Sequence, residues 1–205
     1  MPRGLPEELA TEPSVFTRHG TARIHRFAFG LARSRARRHL TLVTKSNAQR
    51  HGMVMWDEIF YEVAKSYPDV ATQRVLVDAM TTLMVLKPQT LDTVVATNLH
   101  ADILSDLAAA LSGSLGIAPT ANLNPERAFP SMFEPIHGSA FDITGKGVAN
   151  PIATFWTASM MLEHLGERDA ARRLMGAIET VTGKRIHTPD LGGKTITVAI
   201  ENAYI

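Results

Sequence analysis

The chain contains no cysteine. Disulfides, thiolate metal sites and thiol nucleophiles are therefore excluded together, and a reducing, cytoplasmic setting is the expectation. Long apolar runs are absent as well. None approaches the ~18 residues that a membrane span requires. No signal-type apolar segment opens the sequence, and Glu7, Glu8 and Glu12 oppose a transit-peptide reading. Excess charge of either sign is missing too, since 21 basic and 20 acidic side chains leave a net charge of +1. That balance argues against a general polyanion binder. There is no internal repeat, no low-complexity tract, and no G-x-G-x-x-G fingerprint of an ordinary dinucleotide-binding turn.

What the 205 residues do carry is an apolar fraction of 45%, enough for packed cores in one large or two small domains. Strand-like and helix-like stretches alternate, which is an α/β pattern. Residues 1–13 read as an extended arm with three prolines. Ser14 is placed to cap a first helix whose apolar spacing runs through Val15, Phe16, Ile24, Phe27, Ala28 and Leu31. Arg18, Arg23, Arg26, Arg33, Arg35, Arg37 and Arg38 line its other side. No stacking or base-reading groups are interleaved with them, so they read as a solvated face and no nucleic-acid partner is expected. A strand over 40–44 delivers Lys45-Ser46-Asn47, and a strand over 73–78 ends on Asp78. Open α/β sheets place ligand groups at such C-terminal strand ends.

A third short strand, 93–97, leads into Asn98-Leu-His100-Ala-Asp102-Ile-Leu-Ser-Asp106-Leu. A helix over 102–111 places Asp102 and Asp106 on one face, four residues apart. Leu104, Leu107, Ala108 and Leu111 are expected to draw the helix into a core. Two readings fit the spacing: acids favoured by the helix dipole at an N-terminal turn, or oxygen ligands for a divalent cation. After Gly113 the chain turns to strand and loop. The stretch Phe133-Glu134-Pro-Ile-His137-Gly138-Ser139-Ala140-Phe141-Asp142-Ile143, followed by glycines and Asn150-Pro151, permits close backbone approach to a polar ligand. Helices over 153–165, 167–180 and 195–205 complete the chain, with Trp156, Met160 and Met161 read as core packing.

Four ordered motifs, Thr44-Lys45-Ser46-Asn47, Val77-Asp78-Ala79, residues 98–106 and residues 133–151, together resemble the β-decarboxylating dehydrogenases. That family holds the isocitrate, isopropylmalate, D-malate and tartrate dehydrogenases. The resemblance runs from about Ser14 onward. Thr44-Lys-Ser-Asn47, Asn122-Leu-Asn-Pro-Glu-Arg127 and Asn150-Pro-Ile-Ala153 are most similar to the tartrate/D-malate branch.

The resemblance implies an α/β, isopropylmalate dehydrogenase-like fold, incomplete at the N-terminal part of the large domain. Residues 1–112 would form the small domain with an arm and dimer-forming segments. Residues 113–205 would form the C-terminal part of the large, cofactor-binding domain. It further implies that Asp102 and Asp106 ligate Mg²⁺ or Mn²⁺, with Asp78 completing the site from the second copy of a homodimer. Lys45, also from that copy, would transfer the proton of the substrate hydroxyl, and Asn47 would lie near the nicotinamide. Glu134, His137, Gly138, Ser139, Ala140, Asp142, Ile143 and Asn150 would hold the adenosine end of NAD. A carboxylate at Asp142 would repel a 2′-phosphate and favour NAD over NADP.

Three positions depart from the family pattern. His100 and Ala101 stand where an aromatic and a glycine are usual, and Phe141 where a proline is usual. The family's substrate-clamping arginines and catalytic tyrosine fall ahead of the matched stretch. The expected function is thus NAD-dependent oxidative decarboxylation of a small 2-hydroxy dicarboxylic acid by a truncated or split enzyme, inactive or nearly so alone, with a separate N-terminal half as the candidate partner. The alternatives are a non-catalytic dimerisation or binding remnant of the family, a 3-isopropylmalate dehydrogenase-like enzyme, and an unrelated enzyme holding Mg²⁺–diphosphate.

Overall fold

The structure, a computed structural model, describes residues 3–203. Tyr204 and Ile205, included above in the last helix, lie outside them. The chain forms two compact units, residues 1–104 and 105–205.

The first unit is built on three parallel strands, β1 (His39–Thr44), β2 (Ala71–Leu76) and β3 (Thr93–Val95), in the order β2-β1-β3. Leu40 to Thr44 are all buried, as a central strand covered on both faces requires. β2 is an edge strand and exposes Ala71 to Arg74. Helix α1 (Arg18–Ser34) starts three residues later than the Ser14 cap implies. Thr17 is extended, and its Oγ1 accepts from the Gly20 amide at 3.1 Å.

The buried stripe of α1 also differs from the expected one. Ile24 and Leu31 are 41% and 44% exposed, whereas Thr21, His25, Ala28, Phe29 and Ala32 are buried. The neighbour decides this. Phe29 and His25 meet Phe60 and Trp56 of α2 (Gly52–Ala64), with ring centroids 4.9 Å and 4.2 Å apart. The Trp56 indole donates to the Val43 carbonyl at 3.2 Å and so ties α2 to β1. Leu40, Leu42, Met53, Val70 and Val95 complete this core.

The arginines are not a plain solvated face. Arg33 and Arg38 pair with Asp69, and Arg35 pairs with Asp92 at 2.6 Å. Arg37 donates to the carbonyls of Gln89, Thr90 and Leu91 at 2.8 to 3.0 Å, satisfying a short 3-10 turn at 88–90. Their work is local anchoring, which is why the stripe carries no interleaved recognition groups.

His25 is fully buried, and its Nε2 donates to the Trp56 carbonyl at 3.1 Å while Nδ1 has no hydrogen-bond partner among the described residues. Burial pushes its pKa down to about 4, against opposing contributions from that hydrogen bond and from Asp57. The folded chain therefore refuses a proton that the unfolded chain accepts between pH 6.5 and about 4. Stability falls as pH drops through that window. At 1.36 kcal/mol per pKa unit the loss amounts to about 3 kcal/mol. Urea titrations at a series of pH values should show this slope, and His25→Phe should remove it; an unchanged slope in the variant would refute the assignment.

The second unit holds a hairpin of β4 (Pro119–Asn122) and β5 (Met132–Pro135), paired antiparallel with Pro119 opposite Pro135. Two helices, α5 (Ile152–Leu165) and α6 (Arg168–Gly183), pack with the hairpin around Ile152, Ala153, Ala171, Ile178 and Val181. A last helix, α7 (Thr197–Ala203), buries Ile200. Trp156 and Met160 are half-buried and Met161 is 39% exposed, so they are not the core their composition suggested. The small residues Ala153, Thr157 and Ser159 occupy the buried side of α5 instead. Among the described residues no helix is long and apolar enough to cross a membrane.

Candidate functional site

Parallel register builds the first part of the site. Thr44 of β1 is opposite Leu76 of β2, so the residues that follow both strands emerge together at one edge of the sheet. Lys45 and Asp78 are those residues. Asp78 sits in the first turn of α3 (Val77–Leu86), and the Lys45 ammonium donates to its Oδ1 at 2.5 Å. That hydrogen bond holds the Asp78 carboxyl below the usual carboxylate range.

A second network fixes the turn that carries the lysine. The Lys45 carbonyl accepts from the amides of Ala48 and Gln49, both at 2.9 Å. Ser46 donates to Asp57 Oδ2 at 2.7 Å. Arg74 donates to the same oxygen at 2.9 Å and to Ser46 Oγ at 2.6 Å. Asp57 and Arg74 are absent from the sequence reading, because a helix acid and an edge-strand arginine 17 positions apart carry no distinctive spacing. Asn47 is exposed on this turn.

The next segment is α4 (Asn98–Leu111), which begins four residues before the expected Asp102 start; the Ala101 amide already donates to the Thr97 carbonyl at 2.8 Å. Leu104 and Ala109 are buried, while Leu111, expected inside, is 47% exposed. Asp102 and Asp106 are exposed. Leu104 lies two residues from each, on the opposite side of the helix, so anchoring Leu104 turns the two acids outward. Two exposed carboxylates at this spacing are the hard oxygen donors that Mg²⁺ and Mn²⁺ take. Among the described residues no group of three or more His, Asp or Glu is assembled in one chain. A cation here needs ligands beyond this pair. His100 is buried and its Nδ1 has no hydrogen-bond partner among the described residues; burial, then the charge of Lys45, lowers its pKa.

The second unit contains a cavity of about 540 Å³, within the range of small-molecule and cofactor pockets. His137, Gly138, Ser139, Ala140, Ile143 and Asn150 line it. Glu134 and Asp142 do not; Glu134 is exposed on β5 and Asp142 on a 3-10 turn at 141–143. Ala140 adopts left-handed φ of 45° at the start of that turn, a conformation few residues other than glycine accept. Ser114 and Asp190 also line it, although the sequence carries no signal that places them there. Both donate or accept across the cavity floor. Asp190 accepts from Ser114 at 2.5 Å, from Thr188 at 2.5 Å and from Asn150 at 3.0 Å. Burial pushes the Asp190 carboxyl up, and these three hydrogen bonds outweigh it and hold it below the ordinary range.

The family model described as "Isocitrate/isopropylmalate dehydrogenase" matches residues 2–203. The chain is 72% identical over 201 residues to a "Probable tartrate dehydrogenase/decarboxylase" of Agrobacterium vitis, covering 98% of this chain and 56% of that protein. It is 47% identical over 205 residues to the "D-malate dehydrogenase [decarboxylating]" of Escherichia coli, covering 98% of this chain and 57% of the relative. The crystal structure of isocitrate dehydrogenase from Methylococcus capsulatus superposes with a TM-score of 0.89 at 44% identity, over 97% of this chain and 59% of that one. The chain thus spans a little over half the length of the relatives it matches.

Proposed function

The chain belongs to the isocitrate/isopropylmalate dehydrogenase family, and from that membership we propose that it forms the proton-transfer, metal-binding and adenosine-binding part of an NAD-dependent decarboxylating dehydrogenase for a 2-hydroxy dicarboxylic acid of the tartrate/D-malate type. The observation that carries the reading is the Lys45–Asp78 pair at the C-terminal edge of a parallel sheet. Sheet edges of this kind gather ligand groups from several loops.

A bound nicotinamide would supply the acceptor for the hydride of the substrate's hydroxyl carbon, and Lys45 Nζ, once it has given up its own ammonium proton, would take the hydroxyl proton. The ketone so formed lies β to a carboxylate; loss of CO₂ leaves the electron pair of the broken bond as an enolate, which takes up a proton at carbon to give the product. Asp102 and Asp106, with Asp78 from a second copy of the chain, would hold Mg²⁺ or Mn²⁺. The cation supplies Lewis-acid stabilisation of negative charge on the substrate oxygen. Asn47 is assigned to the nicotinamide side. The cavity residues His137, Gly138, Ser139, Ala140, Ile143 and Asn150 receive the adenosine. Glu134 and Asp142, which do not line it, are assigned to the same end of the cofactor, Asp142 beside the lining residue Ile143 favouring ribose hydroxyls over a 2′-phosphate. Residues 1–112 serve as the small, dimer-forming domain and 113–205 as the cofactor-binding part.

The test uses the 205-residue chain with and without a second polypeptide supplying the part of the Escherichia coli relative outside the match. With Mn²⁺ and D-malate or tartrate, the mixture is expected to reduce NAD⁺ and the chain alone to do so barely, because binding and orientation of the substrate supply much of the rate. Absence of NAD⁺ reduction in the mixture would overturn the enzymatic reading. Robust turnover by the chain alone would overturn the requirement for a second part.

A further inference from the structure

We propose that Asp190 is a positioning residue whose carboxylate clasps three separate segments of the cavity wall and holds the cavity in the shape that receives the adenosine end of a dinucleotide. The inference rests on the cofactor reading of that cavity and deepens it.

Residues 187–193 form a tight turn. The Leu191 and Gly193 amides both donate to the Thr188 carbonyl, at 3.1 and 3.0 Å, and the Thr195 amide donates to the His187 carbonyl at 3.0 Å. A Cβ on Gly193 would lie 1.9 Å from the His187 carbonyl oxygen, so this turn closes only around a glycine. The turn presents Asp190 toward partners 76 and 40 positions away in sequence. Asp190 Oδ1 accepts from Thr188 within the turn, and Oδ2 accepts from both Ser114 and Asn150.

Each distant partner is itself committed. Ser114 Oγ accepts from the Gly116 amide at 2.9 Å, so its own proton goes to Asp190. Asn150 Oδ1 accepts from the Ile152 amide at 3.0 Å, at the start of α5, so its orientation leaves the amide NH₂ facing Asp190. One carboxylate therefore joins the turn at 114–116, the start of α5 and the turn at 187–193. All three converging groups are donors, which an ionised carboxylate satisfies and a side-chain amide does not. Gly116 enforces the fit, since a Cβ there would lie 2.7 Å from Asp190 Oδ2.

The experiment titrates the 205-residue chain and its Asp190→Asn, Ser114→Ala and Ser114→Thr variants with AMP and with NAD⁺ by calorimetry. Thermal melts and amide hydrogen exchange are recorded alongside. D190N is expected to weaken both ligands by ~10- to ~100-fold, the range of one lost charge-assisted hydrogen bond. S114A should weaken them less, and S114T, which keeps the hydroxyl, should bind as the parent does. Exchange should rise together at 114–116, 150–152 and 187–193 in D190N. A folded D190N chain that binds AMP as tightly as the parent overturns the proposal. If D190N does not fold, S114A decides, and unchanged affinity there overturns it. If the parent binds neither AMP nor NAD⁺, the cofactor reading fails instead. The clasp is then judged on exchange alone, and unchanged exchange at the three segments refutes it.

Discussion

Replacing Lys45 by alanine should lower NAD⁺ reduction in the assembled enzyme by about 10²- to 10⁴-fold, the usual contribution of a positioned acid–base group. The loss should fall on kcat, since Nζ acts on a proton in flight and adds little to ground-state binding. Lys45→Arg separates the two things this side chain does. Arginine keeps a cation beside Asp78 but does not release its proton in a protein, so it should preserve the low pKa of Asp78 and still fail in turnover. In Lys45→Ala the Asp78 carboxyl loses the hydrogen bond that depresses its pKa. Its folded pKa moves up, so protonation begins at higher pH as the solution is acidified. Metal activation of any residual turnover should then decline at higher pH in Lys45→Ala than in Lys45→Arg. Parent-like kcat in either variant would remove Lys45 from the chemistry.

Some of this arrangement is legible in the sequence because it follows from local rules. Strands that pair in parallel deliver their next residues to the same edge, so Lys45 and Asp78 meet once β1 and β2 are neighbours. The i, i+4 spacing of Asp102 and Asp106 needs only a helix. The glycine-rich run through 137–150 marks backbone that can approach a ligand. What escapes the sequence depends on distant partners. Asp57 and Arg74 steady the lysine turn, and Asp190 joins Ser114 to Asn150, across separations that no short pattern encodes. The buried face of α1 escapes the sequence for the same reason. Its apolar spacing admits more than one stripe, and the aromatic pair on α2 selects the one carrying His25 and Phe29. Leu111 and Met161 show that apolar character alone does not place a side chain inside.

The acid pair on α4 is the other point at which a large effect is expected. Converting both Asp102 and Asp106 to asparagine should lower Mn²⁺ affinity by at least about 10²-fold, since removing even an outer-shell partner of a metal ligand commonly costs 10- to 100-fold. An asparagine oxygen still faces the site, but its negative charge is gone, and a hard divalent ion binds through charge. The effect on the helix runs the other way at Asp106. Like charges four residues apart destabilise an exposed helix by ~0.2–0.5 kcal/mol, and Asp106→Asn relieves that repulsion. A single substitution should therefore leave the melting temperature in metal-free buffer unchanged or slightly raised while weakening the metal. Mn²⁺ at 100 times its Kd stabilises a one-site protein by about 2.7 kcal/mol, so the parent should melt higher when the ion is added and the double variant should not. Because the described residues of one chain assemble no third acidic ligand, the parent's affinity should also rise with protein concentration as Asp78 of a second copy enters the site. Equal Mn²⁺ affinity in the parent and the double variant, measured by the paramagnetic signal of the free ion, would leave these carboxylates as ordinary helix acids.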